Sequence, residues 1–192
     1  MRQIHTFDEV FDSQKMFRII LEAMANPGRV LCVEEAQNKL FGEHSGLLAV
    51  AMTLLDASVS FHAFENGQLA EQILLLTHAH PQSAGQADFL FAASAEEMEA
   101  GISQAKCGTL EDPHKSATLV VLLDEEEPRR TLRLRGPGVD GAIEIQVPET
   151  AVRALRARED QRYEYPTGID LVFLNHRGEL WCLPRLVKGE VV

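Results

Sequence analysis

Apolar positions along this chain change period part-way through, and that change separates its helical stretches from its hairpins. Val10, Phe11, Phe17, Ile20, Leu21 and Met24 form an apolar series that predicts an amphipathic helix. Thr6 and Glu9, three apart ahead of the series, make a capping box; in a shorter helix Asp12 or Ser13 takes that place. Asn26-Pro27-Gly28 ends the helix, because Pro disfavours helical geometry in the residue before it and Gly accepts positive φ. A short strand from Val30 to Val33 follows. Leu47 to Leu55 is apolar on several helical faces and predicts a buried helix, with a strand from Val59 to Phe64 after it. Asn66-Gly67 is a turn, and beyond it Leu69 to Thr77 reads as a second buried helix, with a strand over Ile73 to Leu76 as the alternative. Asp88 to Ala92 is a short strand; Ser94 and Glu97 then cap a helix running to about Ala105. Leu119 to Leu123 is a continuous branched apolar run, the pattern of a strand buried on both faces.

From there the period falls to two. Thr131 to Arg135 places Leu132 and Leu134 on one face and Arg133 and Arg135 on the other, and Ala142 to Val147 alternates likewise, so the two form a hairpin. Pro148 and Glu149 open a helix through about Arg158, and Ile169 to Leu174 pairs with Glu179 to Leu183 across His176-Arg177-Gly178. The sum is an α/β fold in a single domain over residues 1–192, a mixed sheet covered by helices. The acidic run Asp124 to Glu127 before Pro128 reads as a solvated connection.

Composition narrows the function classes. Apolar residues make up 45% and charged residues 24%, as in a folded soluble protein. A net charge of −11 repels a nucleic-acid backbone while leaving a small anionic ligand open. Cys32, Cys107 and Cys182 are too far apart for a CxxC motif and cannot all pair, which points to a reducing compartment. With no segment approaching a membrane span and no cationic-then-apolar start, the expected location is the cytoplasm, with no membrane or nucleic-acid partner.

Candidate chemistry concentrates in the last third. In Gly136-Pro137-Gly138 the Pro sets φ for a type II turn and Gly138 supplies the positive φ, so the motif explains itself as a hairpin turn; its free N–H groups beside Arg133 or Arg135 also suit phosphate oxygens. Strand parity tempers this: with Leu132 and Leu134 facing Ile143 and Ile145, Glu144 shares the arginines' face, so one arginine pairs with it and the other stays available. Asp170 sits among apolar neighbours, where an ionised carboxylate needs a partner, and Arg185 on the returning strand is the natural one, either as a structural pair or as a substrate or subunit contact. His78 and His80 fit a helix end better than a metal site, and His114-Lys115 lies in a solvated loop. No metal site is expected. Walker A, GxGxxG, HExxH and GxSxG motifs are absent.

Taken together, Phe17-Arg18 through Ala23-Met24 to Pro27-Gly28, Leu54-Leu55-Asp56, Gly108 with Ala117-Thr118-Leu119, Leu132 to Gly138, Pro166 with Gly168-Ile169-Asp170-Leu171, and Pro184-Arg185 resemble the PhnH family, a subunit of the bacterial carbon–phosphorus lyase machinery. The resemblance implies a fold similar to pyridoxal-phosphate-dependent transferases without the cofactor, so no cofactor is expected. It implies PhnG, PhnI and PhnJ subunits as partners, a homodimer when isolated, and a non-catalytic or co-catalytic role in the ATP-dependent step that forms a ribose 1-phosphonate 5-triphosphate. Assembly of the complex is the main role expected. The alternatives are a shared triphosphate site using arginines of this chain, and a stand-alone small-ligand domain. The candidate anion-binding or interface residues are Arg133, Arg135, Gly136, Gly138, Asp170 and Arg185; no catalytic residue is assigned. After Pro184-Arg185 the chain departs from the family pattern, carrying Leu186-Val187 where hydroxyl-bearing residues are expected.

Overall fold

The computed structural model describes residues 5–64 and 67–192. In chain order the elements are α1 (Phe11–Ala25), β1 (Leu31–Cys32), α2 (Glu34–Gln37), α3 (Ser45–Leu54), β2 (Ser60–Ala63), α4 (Gly67–Thr77), β3 (His80–Pro81), β4 (Phe89–Ala92), α5 (Ala95–Gln104), β5 (Thr118–Leu123), β6 (Arg129–Arg135), β7 (Ile143–Pro148), α6 (Glu149–Asp160), β8 (Asp170–Asn175), β9 (Glu179–Leu183) and β10 (Lys188–Val191). Seven strands form one mixed sheet in the order β1-β9-β8-β5-β4-β2-β3, with β3, β2, β4, β5 and β8 parallel and β9 antiparallel to β8. This is the α/β mixed sheet that the alternation of elements predicts.

Two-residue periodicity divides the core. Along β5, Leu119, Val121 and Leu123 face α5 and α6, while Val120 and Leu122 face the layer of α1, α3 and α4. Strand β8 divides in the same way, Leu171 and Phe173 on one side and Val172 and Leu174 on the other. A strand apolar on both faces belongs between two helical layers.

Several expectations need correcting. The β6–β7 hairpin forms with the expected face parity, Leu132 opposite Ile145 and Leu134 opposite Ile143, but it does not join the main sheet. With β10, a strand the sequence reading missed, it makes a separate three-stranded sheet packed over α6 through Leu134, Val147 and Leu155. Thr6 and Glu9 do not cap α1. Asp8 Oδ1 accepts from the N–H groups of Val10 (2.9 Å) and Phe11 (2.8 Å), and Asp12 Oδ2 accepts from Asp8 N–H (2.8 Å), a reciprocal cap shifted along the chain. The apolar series chosen for α1 is mostly its outer stripe: Val10, Phe11, Phe17 and Leu21 are exposed, and the core takes Met16, Ile20 and Ala23.

The α5 cap is as expected, Ser94 Oγ accepting from Glu97 N–H at 3.2 Å. Helix α4 excludes the strand alternative at Ile73 to Leu76; the Asn66 half of the expected turn lies outside the described residues. The acidic run is more than a solvated link. Glu127 accepts from the Thr150 N–H (2.7 Å) and caps α6, Glu125 pairs with Arg177, and Asp124 holds a tight turn through Glu126 N–H.

Candidate functional site

The three motifs singled out in the last third converge. Strand parity sends Arg133 and Arg135 to the outer face of the small sheet, and Gly136-Pro137-Gly138 turns back as a type II turn closed by Val139 N–H to Gly136 O at 3.1 Å. Gly138 has φ +82°, and a Cβ there would lie 2.5 Å from the Ala25 carbonyl, so only glycine lets the turn press against the end of α1. Gly168, φ +145°, lies against the Arg185 side chain. Asp170 opens β8, and Arg185 follows the end of β9, whose antiparallel pairing with β8 carries one to the other.

Arg185 is committed to Asp170. Its guanidinium pairs with both carboxylate oxygens, its own N–H donates to Asp170 Oδ1 (2.8 Å), and Nη1 donates to the Pro113 carbonyl, tethering the loop that carries His114 and Lys115. Arg133 is likewise engaged, its Nη2 2.8 Å from Glu144 and its Nη1 3.5 Å from Glu190; Glu144 beside it holds the guanidinium above its usual range. Arg135 is the arginine left available. Across the ladder it faces Lys188 of β10, two like charges directly opposite.

Sequence reasoning missed Arg158. It falls on the buried stripe of α6 with Ala151, Ala154 and Leu155 and is 4% exposed. A cation at that helical spacing was the readable signal. Its Nη1 donates to the Leu183 and Pro184 carbonyls (2.9 and 3.1 Å) and its Nη2 to Val187 O (2.6 Å), so it gathers the segment that carries Arg185 and Lys188. Burial pushes its pKa down to about 10, opposed by the field of Asp170, and it stays charged at neutral pH.

Between Pro137, Arg158, Arg162, Tyr165, Arg185 and Lys188 lies an open cleft of about 250 Å³. Burial pushes the nearby Tyr163 hydroxyl up to about 12, so the ring is neutral. A second hollow of about 190 Å³ lies at the carboxyl ends of β5 and β8, between Leu123, Asn175 and Trp181, where α/β sheets commonly bind ligands. Its polar groups answer one another, Asn175 Nδ2 donating to Glu179 at 2.8 Å and Arg129 lying 4.0 Å from the same carboxylate. The first cleft is the one with charge left over.

The family model described as "Bacterial phosphonate metabolism protein (PhnH)" matches residues 5–190. The chain belongs to the PhnH family. A Rhizobium meliloti (strain 1021) protein named alpha-D-ribose 1-methylphosphonate 5-triphosphate synthase subunit PhnH is 33% identical over 189 residues, covering 95% of this chain and 92% of the relative. A Stutzerimonas stutzeri protein named putative C-P lyase subunit protein HtxG is 28% identical over 176 residues, covering 90% and 83%. In this PhnH-family chain the cleft is built wholly from the last third: the β6 turn, the end of α6, the loop into β8 and the link from β9 to β10.

Proposed function

We propose that this chain is the PhnH subunit of a carbon–phosphorus lyase core complex, supporting formation of a ribose 1-phosphonate 5-triphosphate mainly by assembly with PhnG-, PhnI- and PhnJ-type subunits in the cytoplasm. The observation that carries the reading is the family match over nearly the whole chain together with a relative named for that synthase. The fold adds support through α1, whose outward side leaves Val10, Phe17 and Leu21 exposed to a partner or a second copy. Among the described residues no helix is long and apolar enough to cross a membrane. The likeness to pyridoxal-phosphate-dependent transferases without the cofactor belongs to the same reading. A mixed sheet between helical layers supports it, as do Lys15, Lys39, Lys106 and Lys115, each held by a carboxylate, with Lys188 on an exposed strand.

A second reading gives this chain part of a shared triphosphate site, and unpaired Arg135 at the cleft rim favours it. Co-expression with the PhnG-, PhnI- and PhnJ-type subunits, sized by light scattering and assayed for ATP-dependent phosphonate transfer, tests the first reading. A stable complex whose turnover requires this chain is expected. A chain that stays alone, or a complex equally active without it, refutes the assembly role.

A further inference from the structure

We infer that the cleft between the Pro137 turn, the end of α6 and the Arg185–Lys188 segment binds a multiply charged phosphoryl-type oxyanion, with Arg162 and Lys188 as contacts, Arg135 at the rim and Arg158 as the positioning residue. The inference deepens the second reading above, and it moves the site away from Arg133 and Arg185.

Charge around this cleft is unbalanced. The chain carries a net −11, and eleven of its seventeen described lysines and arginines are held by carboxylates. Arg135, Arg158, Arg162 and Lys188 are not, and they gather at this cleft and its rim; among the described residues only Arg18 and Arg156 are unpaired elsewhere. Glu159 is the one carboxylate lining the cleft, and Glu190 at the rim is shared with Arg133. Positive potential here therefore opposes the sign of the whole molecule, which is how a cleft concentrates an anion.

Arrangement reinforces number. Arg135 and Lys188 are directly opposed on neighbouring strands, a pairing that costs stability in the free protein and is relieved by an anion bridging them. Arg158 uses three hydrogen bonds of its five N–H donors to fix the carbonyls of Leu183, Pro184 and Val187, so the strand start that presents Lys188 is rigid before any ligand arrives. Arg162 leaves α6 with φ +51°, a conformation that costs energy for a residue with a side chain, and it projects from there into the cleft lining. One carboxylate would balance one of these cations. A phosphate or phosphonate balances up to two, and an oligophosphate balances all of them, so the chemistry fitted is that of phosphoryl oxygens met by guanidinium and ammonium donors.

Titration calorimetry on the isolated chain at low salt, with tripolyphosphate, inorganic phosphate and methylphosphonate as separate probes, tests this. Every cation involved is on this chain, so partner subunits are not needed for binding and a failed complex would not obscure the result. Tripolyphosphate is expected to bind with an affinity that falls steeply with added salt, and R162Q/K188Q to weaken it at least tenfold. R18Q/R156Q, which removes unpaired cations elsewhere, should change it less than twofold. A preference for phosphate or methylphosphonate over tripolyphosphate would assign a single phosphoryl group and overturn the multiply charged ligand. No binding by the native chain, or equal weakening by both double variants, would overturn the site. Melting temperatures of both variants close to native show that the fold is intact.

Discussion

Removing either half of the Asp170–Arg185 pair strands a charge in a partly closed site. Asp170 is 7% exposed and accepts from both the guanidinium and the backbone of Arg185, so Asp170→Ala leaves a cation without its counter-charge and an N–H without its acceptor. The expected loss is about 3 kcal/mol by chemical denaturation. The double variant D170A/R185A should cost less than the sum of the single changes, and an additive cycle would show that the two residues do not act as a pair. This pair was readable from sequence, since a carboxylate at the head of an apolar strand demands a partner and the hairpin register supplies one. Arg158 was readable by the same logic applied to a helix, yet its partners were not. They are backbone carbonyls of Leu183, Pro184 and Val187, and a carbonyl leaves no mark on a sequence.

At the scale of the element, α1 shows why periodicity finds a helix more readily than its orientation. Its sequence carries two apolar stripes, and Val10, Phe17 and Leu21 repeat as regularly as Met16, Ile20 and Ala23. Only packing against α3 and β9 decides which stripe is the core. The start of the helix depends on Asp8 and Asp12, and Asp12 has its pKa lowered by the backbone hydrogen bond from Asp8 and by Lys39 2.7 Å away. A depressed carboxyl pKa contributes stability that is present above the unfolded value near ~4 and is lost as pH falls through the folded one. Asp12→Asn should therefore lower stability by about 1 kcal/mol at neutral pH. The gap in melting temperature between the native chain and this variant should close as the solution is acidified below pH ~4. A gap that held constant with pH would remove the ionised cap from the account.

At the scale of the whole molecule, the outward stripe of α1 gives the assembly reading a surface that can be altered without touching the core. F17S/L21S should leave the isolated chain within about 0.5 kcal/mol of native stability, because these side chains are exposed. It should shift the complex toward free subunits in light scattering, or a homodimer toward monomer. Unchanged assembly would assign the interface to another face. By itself the sequence determined the elements made from local periodicity and turn chemistry: the buried strands β5 and β8, the β6–β7 and β8–β9 hairpins with the faces of their side chains, the Ser94 cap and the Gly136-Pro137-Gly138 turn. It also determined the family, which rests on their order. Tertiary structure decided that β6 and β7 leave the main sheet to pair with β10, that Arg133 is engaged while Arg135 is not, and that Arg158, Arg162 and Lys188 share one cleft. Local pattern fixes which residues lie on the same face of an element. Which faces meet depends on the packing of surfaces far apart in the chain, and the cleft exists only where those surfaces meet.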